Sequence, residues 1–286
     1  MKRFALLGEP LGHSVSPALH KAIYRQLELD DVSYRAIELP EERLKSFFSG
    51  FRVGGFDGVN VTIPHKSAVF SLLDEVDSKA KLINAVNCIH RTSNRLTGYN
   101  TDLLGFAYTL RENGVSTEGK TFAILGAGGS ALAVGVALAE GEVGKVLIVN
   151  RSAERAAELK GIIQQSNASI SVEIVDEEGL ESRAEDVDCL VNTTPVGMTP
   201  NTRDCPINTK TSSALFGSGT AVFDLVYNPL KTILLKRAEK QGCLAINGMQ
   251  MLVAQAVYSV EIWMGGNILT HVDMNALVRD LEKTIK

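Results

Sequence analysis

Chemistry-bearing side chains gather where short apolar runs of this sequence end. In Asn60-Val61-Thr62-Ile63-Pro64-His65-Lys66, alternation along a strand puts Asn60 and Thr62 on one face and Val61 and Ile63 on the other. Pro64 ends that strand, and the pattern after it predicts a helix over Lys66 to Val76. Lys66 then falls in a first helical turn, where the macrodipole disfavours its positive charge. An amine so placed can give a proton to a carbonyl oxygen and take one back in the reverse direction. An ordinary surface lysine is the commoner fate of this residue type. The balance changes with Asn84-Ala85-Val86-Asn87 and Asn100-Thr101-Asp102, whose amides and carboxylate sit at predicted strand ends. Asn and Asp also favour turns for local reasons, so neither segment decides the matter alone.

A second constellation, Gly126-Ala127-Gly128-Gly129-Ser130-Ala131, follows a predicted strand and opens a predicted helix. Gly126, Gly128 and Ala131 occupy the positions of a dinucleotide-binding fingerprint. Gly126 permits a tight turn, Gly128 a close backbone approach to a pyrophosphate, and Ala131 close packing of the helix, whose N-terminus favours an anion. The end of the next strand is where NAD-specific sites place an acidic residue for the ribose hydroxyls. This chain has Asn150-Arg151-Ser152 there, followed by Arg155. Two arginines one helical turn apart could clamp a 2′-phosphate that a carboxylate would repel; the competing reading pairs Arg155 with Glu154 or Glu158. The charge pattern points to NADP rather than NAD.

Two scaffolds must carry these groups, and 286 residues, 45% of them hydrophobic, suffice for two cores. Arg3 to Leu7, Tyr34 to Leu39 and Gly58 to Ile63 read as strands separated by helical patterns, which is βαβ grammar and a parallel sheet. The helix after the first strand opens at Ser16-Pro17. Ala85 to Arg91 and Leu96 to Asn100 flank Thr92-Ser93-Asn94-Arg95 as a hairpin at the sheet's edge. After Gly119 come a strand over Thr121 to Leu125, a small-residue helix over Ser130 to Leu138 and a strand over Lys145 to Val149. Ser152 can cap a further helix. Cys189 to Val191 and Ala221 to Leu225 read as later strands, and an apolar helical pattern runs through Trp263. The grammar changes near Asp102 and Ile246. Residues 1–102 with 246–286 are therefore expected to form a substrate-binding, catalytic domain, and residues 103–245 the nucleotide-binding one. The expected fold is α/β, an N-terminal βαβ open sheet plus a Rossmann-type doubly wound parallel sheet, with the active-site cleft between them.

Composition narrows the function classes. The net charge of -4, with scattered basic residues, gives no footprint for nucleic acid. The run Met1 to Leu7 is cut by Gly8-Glu9-Pro10, short of a signal-peptide core, and no stretch reaches membrane-spanning length. Four cysteines, Cys88, Cys189, Cys205 and Cys243, and five histidines show no ligand spacing, so no metal is expected and a reducing cytoplasm fits.

Taken in order, Ser14-Val15-Ser16-Pro17, Asn60 to Lys66, Asn84 to Asn87, Asn100 to Asp102, Gly126 to Ala131, Asn150 to Ser152, Asn192 to Met198, Asp224 to Pro229 and Gly248 to Gln255 span nearly the whole chain. In this ordered set the sequence resembles the shikimate dehydrogenase family. The resemblance implies an NADP-dependent oxidoreductase that reversibly reduces 3-dehydroshikimate to shikimate, in aromatic amino acid biosynthesis. It implies Ser14, Ser16 and Tyr227 on the substrate carboxylate. Thr62, Asn87, Asp102 and Gln255 would hold the ring hydroxyls with Asn60 nearby, and Lys66 with Asp102 would form the acid/base pair. Gly126, Ala127, Gly128, Gly129, Ser130, Ala131, Asn150, Arg151, Ser152 and Arg155 would hold the cofactor's phosphates and adenosine. Thr193, Pro195, Met198, Leu225 and Gly248 would line its nicotinamide side.

Two of these residues also have a reading of their own. Ser16 can simply cap its helix before Pro17. Gln255 shares a helix face with Met251, Tyr258 and Ile262, so it points inward and needs partners, either substrate hydroxyls or backbone. Two positions depart from the family pattern: Ser78, where many members are acidic, and Cys88, where threonine is common. Tyr227 and Lys231 have the tyrosine-lysine spacing of short-chain dehydrogenases, but Pro229 between them forbids the helix that spacing requires. Two other readings stand beside the main one, a quinate/shikimate dehydrogenase using NAD and a non-catalytic sensor of NADP or shikimate. Retention of Lys66 together with Asp102 speaks against the sensor. The partners expected are a small-molecule substrate, no nucleic acid and no membrane, for a monomer or homodimer.

Overall fold

The computed structural model describes residues 1–12, 14–217 and 219–285. They divide into two compact units, Met1–Gly105 with Leu252–Thr284, and Phe106–Met251. The sequence grammar changes near Asp102 and Ile246.

The first unit contains β1 (Lys2–Gly8), α1 (Ser16–Gln26), β2 (Val32–Glu38), α2 (Leu44–Val53), β3 (Gly58–Val61), β4 (Glu75–Val76), α3 (Ser78–Ile83), β5 (Cys88–Thr92), β6 (Arg95–Tyr99) and the start of α4 (Asp102–Glu112). Its sheet has the order β2-β1-β3-β5-β6-β4. The first three of these strands are parallel, as βαβ grammar requires. β5 and β6 then run antiparallel, so the sheet is mixed rather than parallel. The hairpin is present, turning at Ser93 with φ 59, but it is not the edge, because β4 pairs with β6 outside it. One face of the sheet is covered by Leu7, Phe48, Phe51, Val59, Val61, Ile89 and Leu96. On the opposite side Phe4 stacks on Trp263 with centroids 4.4 Å apart. Gly58 has no alternative there, since any Cβ would overlap the Trp263 indole.

The helix expected over Lys66 to Val76 does not form. β3 ends at Val61, residues 63–67 are turns, and a 3₁₀ segment at Ala68–Leu72 leads into β4. Sheet pairing overrides helical propensity here: Asp74 N donates to Leu96 O at 3.0 Å and Asp77 N to Gly98 O at 2.9 Å. Lys66 therefore begins no α-helix, and the macrodipole argument does not apply to it. Strand alternation also stops short, which leaves Ile63 75% exposed instead of on the face of Val61.

The second unit is built from β7 (Thr121–Leu125), α5 (Gly129–Glu140), β8 (Lys145–Val149), α6 (Ala153–Ser166), β9 (Ser171–Val175), α7 (Glu177–Glu181), β10 (Cys189–Asn192), α8 (Thr209–Leu215), β11 (Ala221–Asp224), α9 (Ile233–Lys240) and β12 (Leu244–Asn247). The chain re-enters the first unit within α10 (Met249–Met264) and ends with α11 (Met274–Glu282). All six strands are parallel, in the order β12-β11-β10-β7-β8-β9. The order reverses at β7, and ligands of such sheets bind outside the strands' carboxyl ends at that point. α5 is buried throughout Ala131 to Ala139. Its Gly135 lets α6 approach, because a Cβ would sit 2.9 Å from both Ile163 Cγ1 and Leu159 Cδ1. Among the described residues no helix is long and apolar enough to cross a membrane.

Candidate active site

In the first unit, Lys66 Nζ lies 2.5 Å from Asp102 Oδ2. The side chains are 26% and 16% exposed, so both are partly sheltered yet neither is sealed from solvent. Lys66 is held by its own backbone, whose carbonyl accepts from Val86 N at 2.8 Å, one residue before Asn87. The second Asp102 oxygen, Oδ1, accepts from Asn87 Nδ2 at 2.8 Å. Asp102 N donates to Asn100 Oδ1 at 3.0 Å, so Asn100 serves as the turn residue at the head of α4. Asn100 Nδ2 in turn holds Ala85 O at 3.0 Å.

Asn60 is buried, and its amide is spent inside the protein. Nδ2 donates to Asn87 O at 3.1 Å and Ser259 Oγ at 2.9 Å, while Oδ1 accepts from Tyr34 OH at 2.9 Å. Behind it Tyr34 stacks on His20 with centroids 3.8 Å apart. Burial drives the His20 imidazole down to about 3, so the ring is neutral, and pushes the Tyr34 hydroxyl well above its ordinary range. The geometry thus makes Asn60 a support for Asn87 with no N–H left for a ligand.

Thr62 and Ser16 are half-buried, and among the described residues neither hydroxyl has a hydrogen-bond partner. Thr62 is brought close to β1 by Gly8, where a Cβ would collide with the Thr62 methyl. Ser16 does not cap α1: the N-cap residue is Val15 and no side chain caps the helix. Instead Ser14 Oγ accepts from Ser16 N at 3.3 Å, which brings the two serines together at the helix start. Gln255 is half-buried, and its Nε2 donates to Leu252 O at 2.7 Å, so backbone holds one end of the amide. His65, fully buried between Pro64 and Lys66, bonds Leu39 O through Nε2 at 2.5 Å.

In the second unit, Gly126 turns at φ 101, as the fingerprint requires, and a Cβ there would stand 2.7 Å from Thr193 Oγ1. The loops after β7 and β10 therefore meet at the switch point, where Thr193 also donates from N and Oγ1 to Leu125 O at 3.0 and 2.7 Å. Gly128, Gly129 and Ser130 are exposed at the N-terminus of α5, and the space beside Gly128 and Gly129 is open. Ala127 and Ala131 are buried. This cradle fits a pyrophosphate against backbone N–H groups.

Ser152 caps α6, its Oγ accepting from Arg155 N at 3.3 Å, and Asn150 Nδ2 donates to Ser152 O at 2.8 Å. Arg151 and Arg155 are both exposed, and among the described residues neither has an ion-pair partner. Glu154 does not take Arg155; its carboxylate accepts from Ser152 Oγ at 2.8 Å, a bond that holds it below its ordinary range. Two uncommitted guanidiniums beyond a parallel strand fit an additional phosphate.

Pro195, Met198 and Leu225 lie in loops after β10 and β11, and Gly248 permits close passage of the Leu225 carbonyl. Tyr227 is half-buried, with its hydroxyl raised above the ordinary range by burial. Tyr227 and Lys231 lie outside any helix, and Lys231 pairs with Glu239 at 2.9 Å.

Three groups had no assigned role in the sequence reading. Asp224, fully buried, accepts from Asn192 Nδ2 at 2.9 Å, Val226 N at 3.1 Å and Thr232 Oγ1 at 2.7 Å. Asn192 Oδ1 accepts from Thr194 N and Oγ1 at 3.0 and 2.7 Å. Asn192 and Asp224 thereby tie together the loops that carry Thr193 to Met198 and Leu225 to Tyr227. Their signal was a polar residue closing each of two apolar strands. Ser259, the third, follows Gln255 by one helical turn and is otherwise inconspicuous on an apolar helix.

Among known proteins, the profile described as shikimate dehydrogenase substrate binding domain matches residues 6–89, and that described as shikimate / quinate 5-dehydrogenase matches residues 109–197. A protein named shikimate dehydrogenase (NADP(+)) from Symbiobacterium thermophilum is 39% identical over 262 residues, 91% of this chain and 88% of the relative. The crystal structure of shikimate 5-dehydrogenase from Thermus thermophilus in complex with NADP(H) and shikimate is similar with a TM-score of 0.85 at 33% identity, covering 99% of this chain and 100% of that one. That of quinate dehydrogenase from Corynebacterium glutamicum in complex with NAD has a TM-score of 0.86 at 30% identity, covering 97% of each.

Proposed function

The chain belongs to the shikimate dehydrogenase family, and from that premise we propose that it reversibly reduces 3-dehydroshikimate to shikimate with NADP(H). The observation that carries the reading is the partly buried Lys66–Asp102 pair, with Asn87 on the carboxylate's other oxygen. Such a pair can protonate an alkoxide as it forms and recover the proton from a hydroxyl.

When bound, NADPH supplies the hydride that the ketone carbon accepts. The chain's own residues bind and orient. Lys66 Nζ donates a proton to the carbonyl oxygen, and Asp102 Oδ2 holds the ammonium in place and accepts a ring hydroxyl. Thr62 and Gln255 present further hydrogen-bonding groups to the ring hydroxyls, and Asn87 fixes the carboxylate between them. Ser14 and Ser16, joined by Tyr227, take the substrate carboxylate. Gly126 to Ala131 hold the pyrophosphate, Asn150, Arg151, Ser152 and Arg155 the adenosine and its 2′-phosphate, and Thr193, Pro195, Met198, Leu225 and Gly248 the nicotinamide side. Four free thiols support a cytoplasmic setting, for a monomer or homodimer.

The similarity to a quinate dehydrogenase that binds NAD favours a second reading, in which a ring acid with one more hydroxyl is oxidised with NAD. The uncommitted Arg151 and Arg155 speak against it. Absorbance at the reduced-nicotinamide band, followed for shikimate and quinate with each cofactor, separates the two. The proposal expects turnover with shikimate and NADP to dominate; dominant turnover of quinate with NAD selects the second reading, and no turnover with any combination rejects both.

A further inference from the structure

Thr101 and Ser259 are fully buried, so neither side chain reaches a ligand. Their hydroxyls nevertheless stand directly behind the site. Ser259 Oγ donates its single proton to Gln255 O at 2.9 Å. It must therefore accept from its other two neighbours, Asn60 Nδ2 at 2.9 Å and Thr101 Oγ1 at 3.3 Å. With the Thr101 proton aimed at Ser259, a Thr101 lone pair is left to accept from Asn87 Nδ2 at 3.0 Å. Thr101 N meanwhile donates to Asn87 Oδ1 at 2.7 Å. The alternative direction, Thr101 Oγ1 donating to Asn87 Oδ1 at 3.2 Å, leaves the amide facing the same way. Every arrangement keeps the Asn87 nitrogen toward Asp102 Oδ1, at 2.8 Å. The opposite flip would set the amide oxygen against a carboxylate and leave Thr101 N without an acceptor.

We propose that Thr101 and Ser259 are positioning residues for the proposed proton transfer: their buried hydroxyl pair locks the Asn87 amide, and through it holds Asp102 in register with Lys66. Asn60 and Tyr34 complete the lock from the far side, because Asn60 Nδ2 also grips the Asn87 carbonyl at 3.1 Å. The inference deepens the reading of Lys66 and Asp102 as the acid/base pair and rests on it.

The test uses Thr101→Val, which keeps the shape and removes the hydroxyl, Thr101→Ser, which keeps the hydroxyl and removes a methyl, and Ser259→Ala. For each, kcat and KM with shikimate, the pH profile of kcat, the dissociation constant for NADPH and the melting temperature are measured. Positioning predicts a fall in kcat of up to roughly tenfold for Thr101→Val, the upper size expected for one lost hydrogen bond between neutral groups, with a displaced pH profile and unchanged NADPH binding. Ser259→Ala should move kcat and the profile the same way. Thr101→Ser should recover kcat to within about twofold despite a lower melting temperature. An unaltered kcat and pH profile in Thr101→Val, or activity that follows melting temperature across all three variants, overturns the proposal and leaves a purely structural role. A wild-type protein that does not oxidise shikimate removes the underlying reading, and the proposal with it.

Discussion

Lys66 and Asp102 meet at 2.5 Å although one comes from the turn after β3 and the other from the first residue of α4. Each is anchored separately, Lys66 through its carbonyl on Val86 N and Asp102 through Asn87 Nδ2 and the Asn100 turn. The ion pair is thus assembled by the fold, and its geometry does not depend on a ligand to create it.

Asp102→Asn keeps the size of the side chain and removes its charge. The lysine loses its counter-ion and the ring hydroxyl a strong acceptor, so kcat should fall by roughly tenfold to a hundredfold and KM for shikimate should rise. Steady-state kinetics at saturating NADP check this; a change confined to the NADP dependence would contradict it.

Arg151→Ala should weaken NADPH by roughly tenfold or more, the worth of a charge-assisted hydrogen bond to phosphate, and leave NADH within about twofold. Fluorescence titration of both cofactors measures the contrast. Equal losses would place 2′-phosphate recognition elsewhere.

Gly126→Ala forces φ 101 on a residue with a Cβ and drives that Cβ to 2.7 Å from Thr193 Oγ1 and 2.9 Å from Thr194 Cγ2. A loss of about 1–3 kcal/mol in stability is expected, together with loss of NADPH affinity because the fingerprint turn must open. Chemical denaturation and cofactor titration should both register the change.

Asp224 supplies a pH prediction. Burial raises its carboxyl from the ordinary 3.8 to about 6, against three hydrogen bonds that favour the charged form. A carboxyl that binds its proton more tightly folded than unfolded contributes stability that is fully present below about pH 4 and lost as pH rises through about 6. The stability of the wild type relative to Asp224→Asn should therefore be greater at pH 4.5 than at pH 7.5, by up to roughly 2 kcal/mol. A gap that is flat, or that widens with pH, would contradict the assignment.

What the sequence made legible was local. Gly126 to Ala131 and the Ser152 cap were readable because a turn, a helix start and a cap are each decided within about six residues. The helix expected from Lys66 to Val76 failed because its second half is claimed by β6, a pairing across some twenty residues that local pattern does not contain. Asn192 and Asp224 were visible as strand-end residues, but only the register of β10 on β11 sets them side by side. Ser259 was invisible in its role, since its partner Asn60 lies 199 positions away and a serine on an apolar helix has many uses. Asn60 was expected near the ring hydroxyls, and the structure instead spends its amide on Asn87, Ser259 and Tyr34.

The most direct test of the account is Lys66→Ala, read as kcat for shikimate oxidation beside the dissociation constant for NADPH. General acid/base catalysis by Lys66 predicts a loss of roughly a hundredfold to ten-thousandfold in kcat with cofactor affinity unchanged. Turnover within a few-fold of wild type would remove Lys66 from the chemistry and contradict the account.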